Sequence, residues 1–249
     1  MTTASDIIEL LSSMQDEVQR RQLCRFFKTG KGEYGEDDKF LGLRVPQTRS
    51  VVRAAKHDVS LEEVEKLLAS EWHEARLCGF LILVDEMKAA LPTSRKPGDA
   101  SRRHELTDFY LRHARRANNW DLVDLSCPRI IGEWLLHPDE HGVMPSRDIL
   151  DRLANSDNLW EQRIAIVSNW TIIRADQYDD TLRVATILLH HNHDLIHKAV
   201  GWMLREVGKR DIEVLRGFLE EHAYEMPRTA LRYAVEKMDA RERKGWMKK

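Results

Sequence analysis

Apolar residues recur at helical spacing along nearly the whole chain. Ile7, Leu10, Leu11 and Met14 open an amphipathic stretch that continues through Val18 to about Phe27, which predicts one first helix. Residues 29–39, rich in glycine and acids, read as a loop. Pro46 suits the first turn of the next helix, ahead of Val51, Val52 and Ala55. Ser60 with Glu63 three residues on reads as a capping box, leading into Val64, Leu67 and Leu68. A long apolar helix follows over about 71–90, then a polar break at 92–101. Further helices are predicted near 102–116, 120–136, 146–154, 158–174, 179–190, 194–207, 211–222 and 228–237. Alternating β-branched runs bounded by turn signals are missing, so no strand is expected.

The helical pattern echoes itself. Leu68-Ala-Ser-Glu-Trp-His-Glu-Ala-Arg76 resembles Leu153-Ala-Asn-Ser-Asp-Asn-Leu-Trp-Glu-Gln-Arg163, and a fainter copy ends at His197-Lys198. In both clear copies a helix ends, an acidic turn follows, and a Trp/Glu/Arg cluster starts a long apolar helix. Two-helix units with a period of about 40 residues are those of HEAT-type repeats. Such units stack into a solenoid with a concave face. The expected fold is therefore all-α: a HEAT-like repeat α-solenoid of paired antiparallel helices. No linker divides the sequence, so residues 1–249 are expected to form a single domain.

Composition adds constraints more than function. Charged residues make up 32% of the 249, which suits long helices, while 12 Gly and 7 Pro leave few hairpin turns. A net charge of −2 does not announce a nucleic-acid binder. The charge is unevenly spread, however. From Lys198 to Lys249 there are 13 basic and 9 acidic residues, leaving the rest of the chain negative and allowing one basic surface. The basic run 241–249 reads as a solvated tail.

Cys24, Cys78 and Cys127 are odd in number and far apart. They read as buried small hydrophobes in a reducing compartment rather than a disulfide frame or zinc site. No apolar run is long enough to span a membrane, and the N-terminus lacks a secretory pattern, so a cytoplasmic location is expected. His190, His191, His193 and His197 include a pair at helical ligand spacing, yet no nearby set completes a metal site. They read as helix-end histidines, and no metal or cofactor is expected.

The stretch with the most chemistry is Asn118-Asn-Trp-Asp-Leu-Val-Asp124. On a helix, Trp120 and Asp124 share a face, placing an aromatic ring beside a carboxylate. That pairing can hold a cation through the ring quadrupole and a full negative charge. Judged on the residues alone, Trp120 is equally an inter-repeat core aromatic, and Asp124 an ion-pair partner of Arg163 or Arg129. Asp121 reads as a helix-start cap. Trp202, after Gly201 in an apolar helix, reads as a packing residue, and Arg76 as structural.

From about Arg25 onward the sequence resembles the AlkD-like DNA alkylation repair proteins, a family of HEAT-repeat DNA glycosylases. The matching segments are Phe40-Leu-Gly-Leu-Arg-Val-Pro46 with Arg49, His73-Glu-Ala-Arg76 and Asn119-Trp-Asp-Leu-Val-Asp124. They continue with Asn158-Leu-Trp-Glu-Gln-Arg163, Lys198-Ala-Val-Gly-Trp-Met-Leu-Arg-Glu206 and Met226-Pro-Arg-Thr-Ala-Leu-Arg-Tyr-Ala-Val-Glu-Lys237. Each segment is weak by itself; the ordered series is specific.

The resemblance implies a monomeric enzyme that binds duplex DNA on its concave face and excises cationic alkylpurines, typically N3-methyladenine and N7-methylguanine. Carried over by position, Asp124 and Trp120 are the catalytic acid and aromatic. The implied catalytic set also includes Arg163, a basic residue beside them that binds a phosphate near the lesion, and Trp202, a second cleft aromatic. Lys198, Arg205, Arg228 and Arg232 are the implied DNA contacts. Phe26 stands where relatives use a tyrosine, and the loops at 29–39 and 92–101 look lengthened. The competing readings are a non-catalytic HEAT module that binds damaged or structured DNA, and a protein-binding scaffold.

Overall fold

In a computed structural model, which describes residues 2–55 and 58–248, helices form wherever the apolar periodicity is sustained. The first amphipathic stretch is two helices, not one. Helix α1 (Ala4–Ser13) starts on a capping box between Thr3 and Asp6, and α2 (Glu17–Phe26) starts afresh where the Asp16 carboxylate accepts the Gln19 N–H. Asp16 offers its own backbone an alternative to continued helix, and the chain turns there.

Helices α3 (Val45–Ala55), α4 (Leu61–Leu68), α5 (His73–Ala90), α6 (Ala100–Arg112) and α7 (Trp120–Cys127) follow. Ser60 caps α4 as its spacing predicts, but the Glu63 carboxylate closes no box. It accepts the Ala4 N–H at 2.7 Å and so ties α4 to the start of α1. Helix α5 is apolar almost all round, with Leu77, Phe80, Leu81, Leu83 and Met87 buried, so it must be covered on several sides. Helices α1, α3, α4 and α6 pack against it.

The helix predicted over 120–136 is regular only to Cys127, and residues Pro128–Gly132 form a π-helical turn. Proline has no N–H to continue the ladder, and the Thr171 hydroxyl donates to the Pro128 carbonyl at 2.6 Å. Beyond it lie α8 (Asp148–Ala154), α9 (Leu159–Val167), α10 (Asn169–Arg174), α11 (Asp179–Ile187), α12 (Asp194–Arg210), α13 (Ile212–His222), α14 (Arg228–Ala234) and α15 (Ala240–Trp246). The predicted 158–174 helix breaks at Ser168, where the Asn169 amide donates back to the Ala165 and Ile166 carbonyls. Most of the basic run is helical and buries no residue: Asp239 caps α15, and the Met247 carbonyl accepts from Arg228.

The described residues contain only isolated β-bridges and no strand, so the fold is all-α. They form two compact units, Met1–Ser126 and Cys127–Lys249. In the first, α5 is the central helix; in the second it is α12, which packs on α9, α10, α11, α13 and α14. Gly201 makes the α12–α14 approach: a Cβ there would lie 2.4 Å from the Ala230 carbonyl oxygen.

Candidate active site

The first unit contains a cavity of about 420 Å³ bounded by α2, α3, α5 and α7. Its walls are aromatic. The Trp120 indole stacks on Phe27, with centroids 5.2 Å and planes 22° apart, and Phe26 meets it edge-on at 5.7 Å. Phe27 stacks in turn on Phe40 at 5.1 Å. Phe26 is 62% exposed although it is a large apolar ring, and it forms an open lip of the cavity. Asp124, half-buried, lies in the same wall, so the structure brings the predicted aromatic and acid to one cavity.

Helix α7 is held at its first turn by buried polar contacts. Asp121 Oδ1 accepts the Leu122 N–H, while its Oδ2 accepts from His73 Nε2 at 2.9 Å. The other imidazole nitrogen, Nδ1, donates to Asp38 Oδ2 at 2.8 Å. Asp38 also accepts from the Asn119 amide at 3.2 Å and, through Oδ1, from Arg76. The Asn119 side-chain oxygen accepts the Trp120 N–H at 2.9 Å. A histidine bonded to carboxylates through both nitrogens satisfies both only as the imidazolium. Burial works against that charge, but Asp121 and Asp38 outweigh it and raise the His73 pKa to about 9. Burial likewise opposes ionisation of Asp38, and His73 and Arg76 together hold its carboxyl below the usual range.

The floor beside α5 is fixed by Glu74. Its carboxylate accepts the backbone N–H groups of Leu41, Gly42 and Leu43 at 2.9, 2.9 and 3.0 Å. Gly42 has φ +95°, and a Cβ there would sit 2.1 Å from the Asp16 carbonyl oxygen, so the loop can reach Glu74 only with glycine at this place. Glu74 and Arg76 of the first Trp/Glu/Arg cluster are therefore engaged separately. Glu74 serves the loop, and Arg76 serves Asp38 and the Ser70 and Glu71 carbonyls.

The other expected site residues belong to the second unit. Arg163, only 5% exposed, donates from Nη1 to the Leu195 carbonyl at 2.6 Å and so holds the first turn of α12. Trp202 is half-buried on α12. On the same helix Lys198 pairs with Asp194 at 2.7 Å, and Arg205 pairs with Glu236 and, at 3.5 Å, Glu206. Arg228 and Arg232 are exposed on α14. Arg129 pairs with Glu133 at 3.8 Å and lies 4.9 Å over the Trp170 ring. Among the described residues no group of histidines, cysteines and acids could hold a metal ion.

A sequence model of the DNA alkylation repair enzyme family matches residues 7–238. The chain belongs to the DNA alkylation repair enzyme family. No curated protein sequence matches it. A solved structure described as a predicted DNA alkylation repair enzyme from Enterococcus faecalis has the same fold, with a TM-score of 0.63 at 13% identity. The match covers 91% of this chain and 97% of that one.

Within this DNA alkylation repair chain, sequence reasoning passed over His73, Asp38 and Phe27. His73 was visible as part of the His73–Arg76 segment, but nothing in local spacing points it at a carboxylate 48 residues away. Asp38 lay in a loop that gave no helical pattern at all.

Proposed function

We propose that this member of the family is a DNA glycosylase that hydrolyses the N-glycosidic bond of cationic alkylpurines, N3-methyladenine and N7-methylguanine among them, in duplex DNA. The observation that carries the reading is the presence of Trp120 and Asp124 in the wall of one aromatic-lined cavity.

An N-alkylated purine already bears positive charge, so it departs as a neutral base and needs no general acid. The barrier lies in the oxocarbenium-like sugar formed as the bond breaks. In this reading Asp124 stands beside C1′, stabilises that charge and orients the attacking water. A preorganised carboxylate in a water-poor site contributes about 10²–10³ in rate. The Trp120 face left uncovered by Phe27 lies against the deoxyribose and excludes water, adding about 0.5–2 kcal/mol of cation–π attraction.

Trp202 is the second aromatic of the proposed set. Lys198, Arg205, Arg228 and Arg232 contact phosphates, which positions the duplex without reading its sequence. Arg163 acts through the Leu195 carbonyl it already binds, placing the start of the helix that carries Lys198 and Trp202. In this reading the enzyme is a cytoplasmic monomer that needs no cofactor.

The deciding experiment incubates the protein with methylated duplex DNA and measures free N3-methyladenine and N7-methylguanine. Release above the protein-free rate is expected. Salt-dependent DNA binding without any release would replace this reading with that of a non-catalytic DNA-binding module.

A further inference from the structure

Trp120 is flanked in sequence by two residues that are both hooked onto one buried pair. Asn119 donates to Asp38, Asp38 accepts from His73, and His73 donates to Asp121. The circuit closes through the backbone of residues 119–121, with Trp120 at its apex. His73 is also the ring on which the aromatic wall rests, stacked on Phe40 at 4.4 Å and tilted against Phe27 at 5.1 Å. Asp124 follows Asp121 by three residues on the same short helix, so whatever fixes Asp121 fixes the direction of Asp124.

We infer that His73, in its doubly protonated form and clamped between Asp38 and Asp121, is a positioning residue that holds Trp120 and Asp124 in their working orientation. It is only 2% exposed and acts through the residues it holds. Its role rests on the glycosylase reading for its consequence in rate, but its action on α7 stands on the hydrogen-bond circuit alone.

The charges facing His73 are Asp121 on α7, Asp38 in the loop before α3, and Arg76 on its own helix; Glu74, also on α5, is occupied by the backbone of residues 41–43. Two carboxylates and two cations balance in this pocket. Loss of the His73 proton leaves one carboxylate without its donor and the buried group with a net negative charge, an arrangement that costs more than any exposed imbalance. The clamp is therefore complete at neutral pH. It opens as pH rises through the His73 pKa of about 9.

The test compares wild type, His73→Gln and Asp121→Asn by two readouts: single-turnover base release from saturating methylated DNA across pH 6–10.5, and amide hydrogen exchange of residues 119–127. His73→Gln is expected to release base about 10²-fold more slowly near neutral pH, the size of effect that small misplacements of reacting groups produce, with DNA affinity unchanged. Wild type is expected to lose activity, and α7 its exchange protection, on the alkaline side near pH 9. Asp121→Asn removes one of the two carboxylates that hold the proton, so its alkaline limb is expected at lower pH. If wild type releases no base, the glycosylase reading falls while the exchange measurement still decides the role of His73. Wild-type exchange protection of α7 in His73→Gln, or an alkaline limb that stays in place in Asp121→Asn, would overturn the inference. Should His73→Gln fail to fold, the wild-type pH series and Asp121→Asn decide it.

Discussion

The Trp120 indole lies on the Phe27 ring, 5.2 Å between centroids and 22° between planes. One face of the tryptophan is therefore spent on the protein, and only the other can meet a ligand. Phe27 is itself buried against Phe40 and His73, so the stack runs from the cavity into the core of the first unit. Phe27→Ala is expected to destabilise the protein by about 3–5 kcal/mol, the usual cost of deleting a buried aromatic. Phe27→Leu should cost less and still lower base release, because the indole loses its backing. Urea unfolding and base release on the same preparations check both.

Asp124→Asn keeps the shape of the side chain and removes its charge. DNA affinity is expected to hold while release of N7-methylguanine drops by about 10²–10³. Unchanged excision by this variant would take Asp124 out of the mechanism.

Glu74 collects three backbone N–H groups in the buried loop before α3. In Glu74→Gln one oxygen becomes an NH₂ that must face donors, so the loss exceeds one hydrogen bond. A destabilisation of about 3 kcal/mol is expected, by the cost of breaking a buried charged arrangement. Thermal melting measures it, and a shift of under a degree would show that the loop does not depend on this carboxylate.

Acid should weaken the start of α12. His193 Nδ1 accepts the Leu195 N–H, and His191 Nδ1 accepts the His193 N–H, so both imidazoles must stay neutral there. Burial and the neighbouring cations lower both pKa values, His197 bearing on each and Arg163 and Lys198 on His193. For a lowered histidine pKa the unfolded chain binds the extra proton first. This contribution to stability is thus whole above the unfolded value of about 6.5 and is lost as pH falls below it. His193→Asn retains a cap oxygen, and its stability is expected to fall less than that of wild type between pH 7 and 5 in urea titrations.

Gly201→Ala is expected to disrupt the second unit. The added Cβ would meet the Ala230 carbonyl oxygen at 2.4 Å and Tyr233 Cβ at 2.6 Å, and the first of these is backbone that cannot swing aside. Overpacking of this kind costs about 1–3 kcal/mol, which a lowered melting temperature would register. An unchanged melting temperature would mean that α12 and α14 can separate without penalty.

Much of the molecule was legible in the chain itself. The all-α class, the Ser60 cap, the start of α9 at Asn158 and the same-face placement of Trp120 with Asp124 are local properties. They follow from apolar spacing and from side chains that reach their own backbone within a turn. The family, too, was carried by ordered local segments. Local rules also marked their own limits: periodicity ran α1 into α2 because Asp16 caps the second helix without breaking the apolar rhythm. The π-turn after Cys127 likewise escaped the pattern, because the apolar spacing runs on past Pro128.

What supports α7 was decided only by the tertiary structure. Asp38 reaches Asn119 across 81 residues, and Glu63 leaves its own helix start to hold Ala4. No spacing rule describes such contacts. They depend on which helix faces are brought together, and that is set by the collective burial of apolar surface around α5. Buried polar groups then have to find whatever partners the packing has placed within reach.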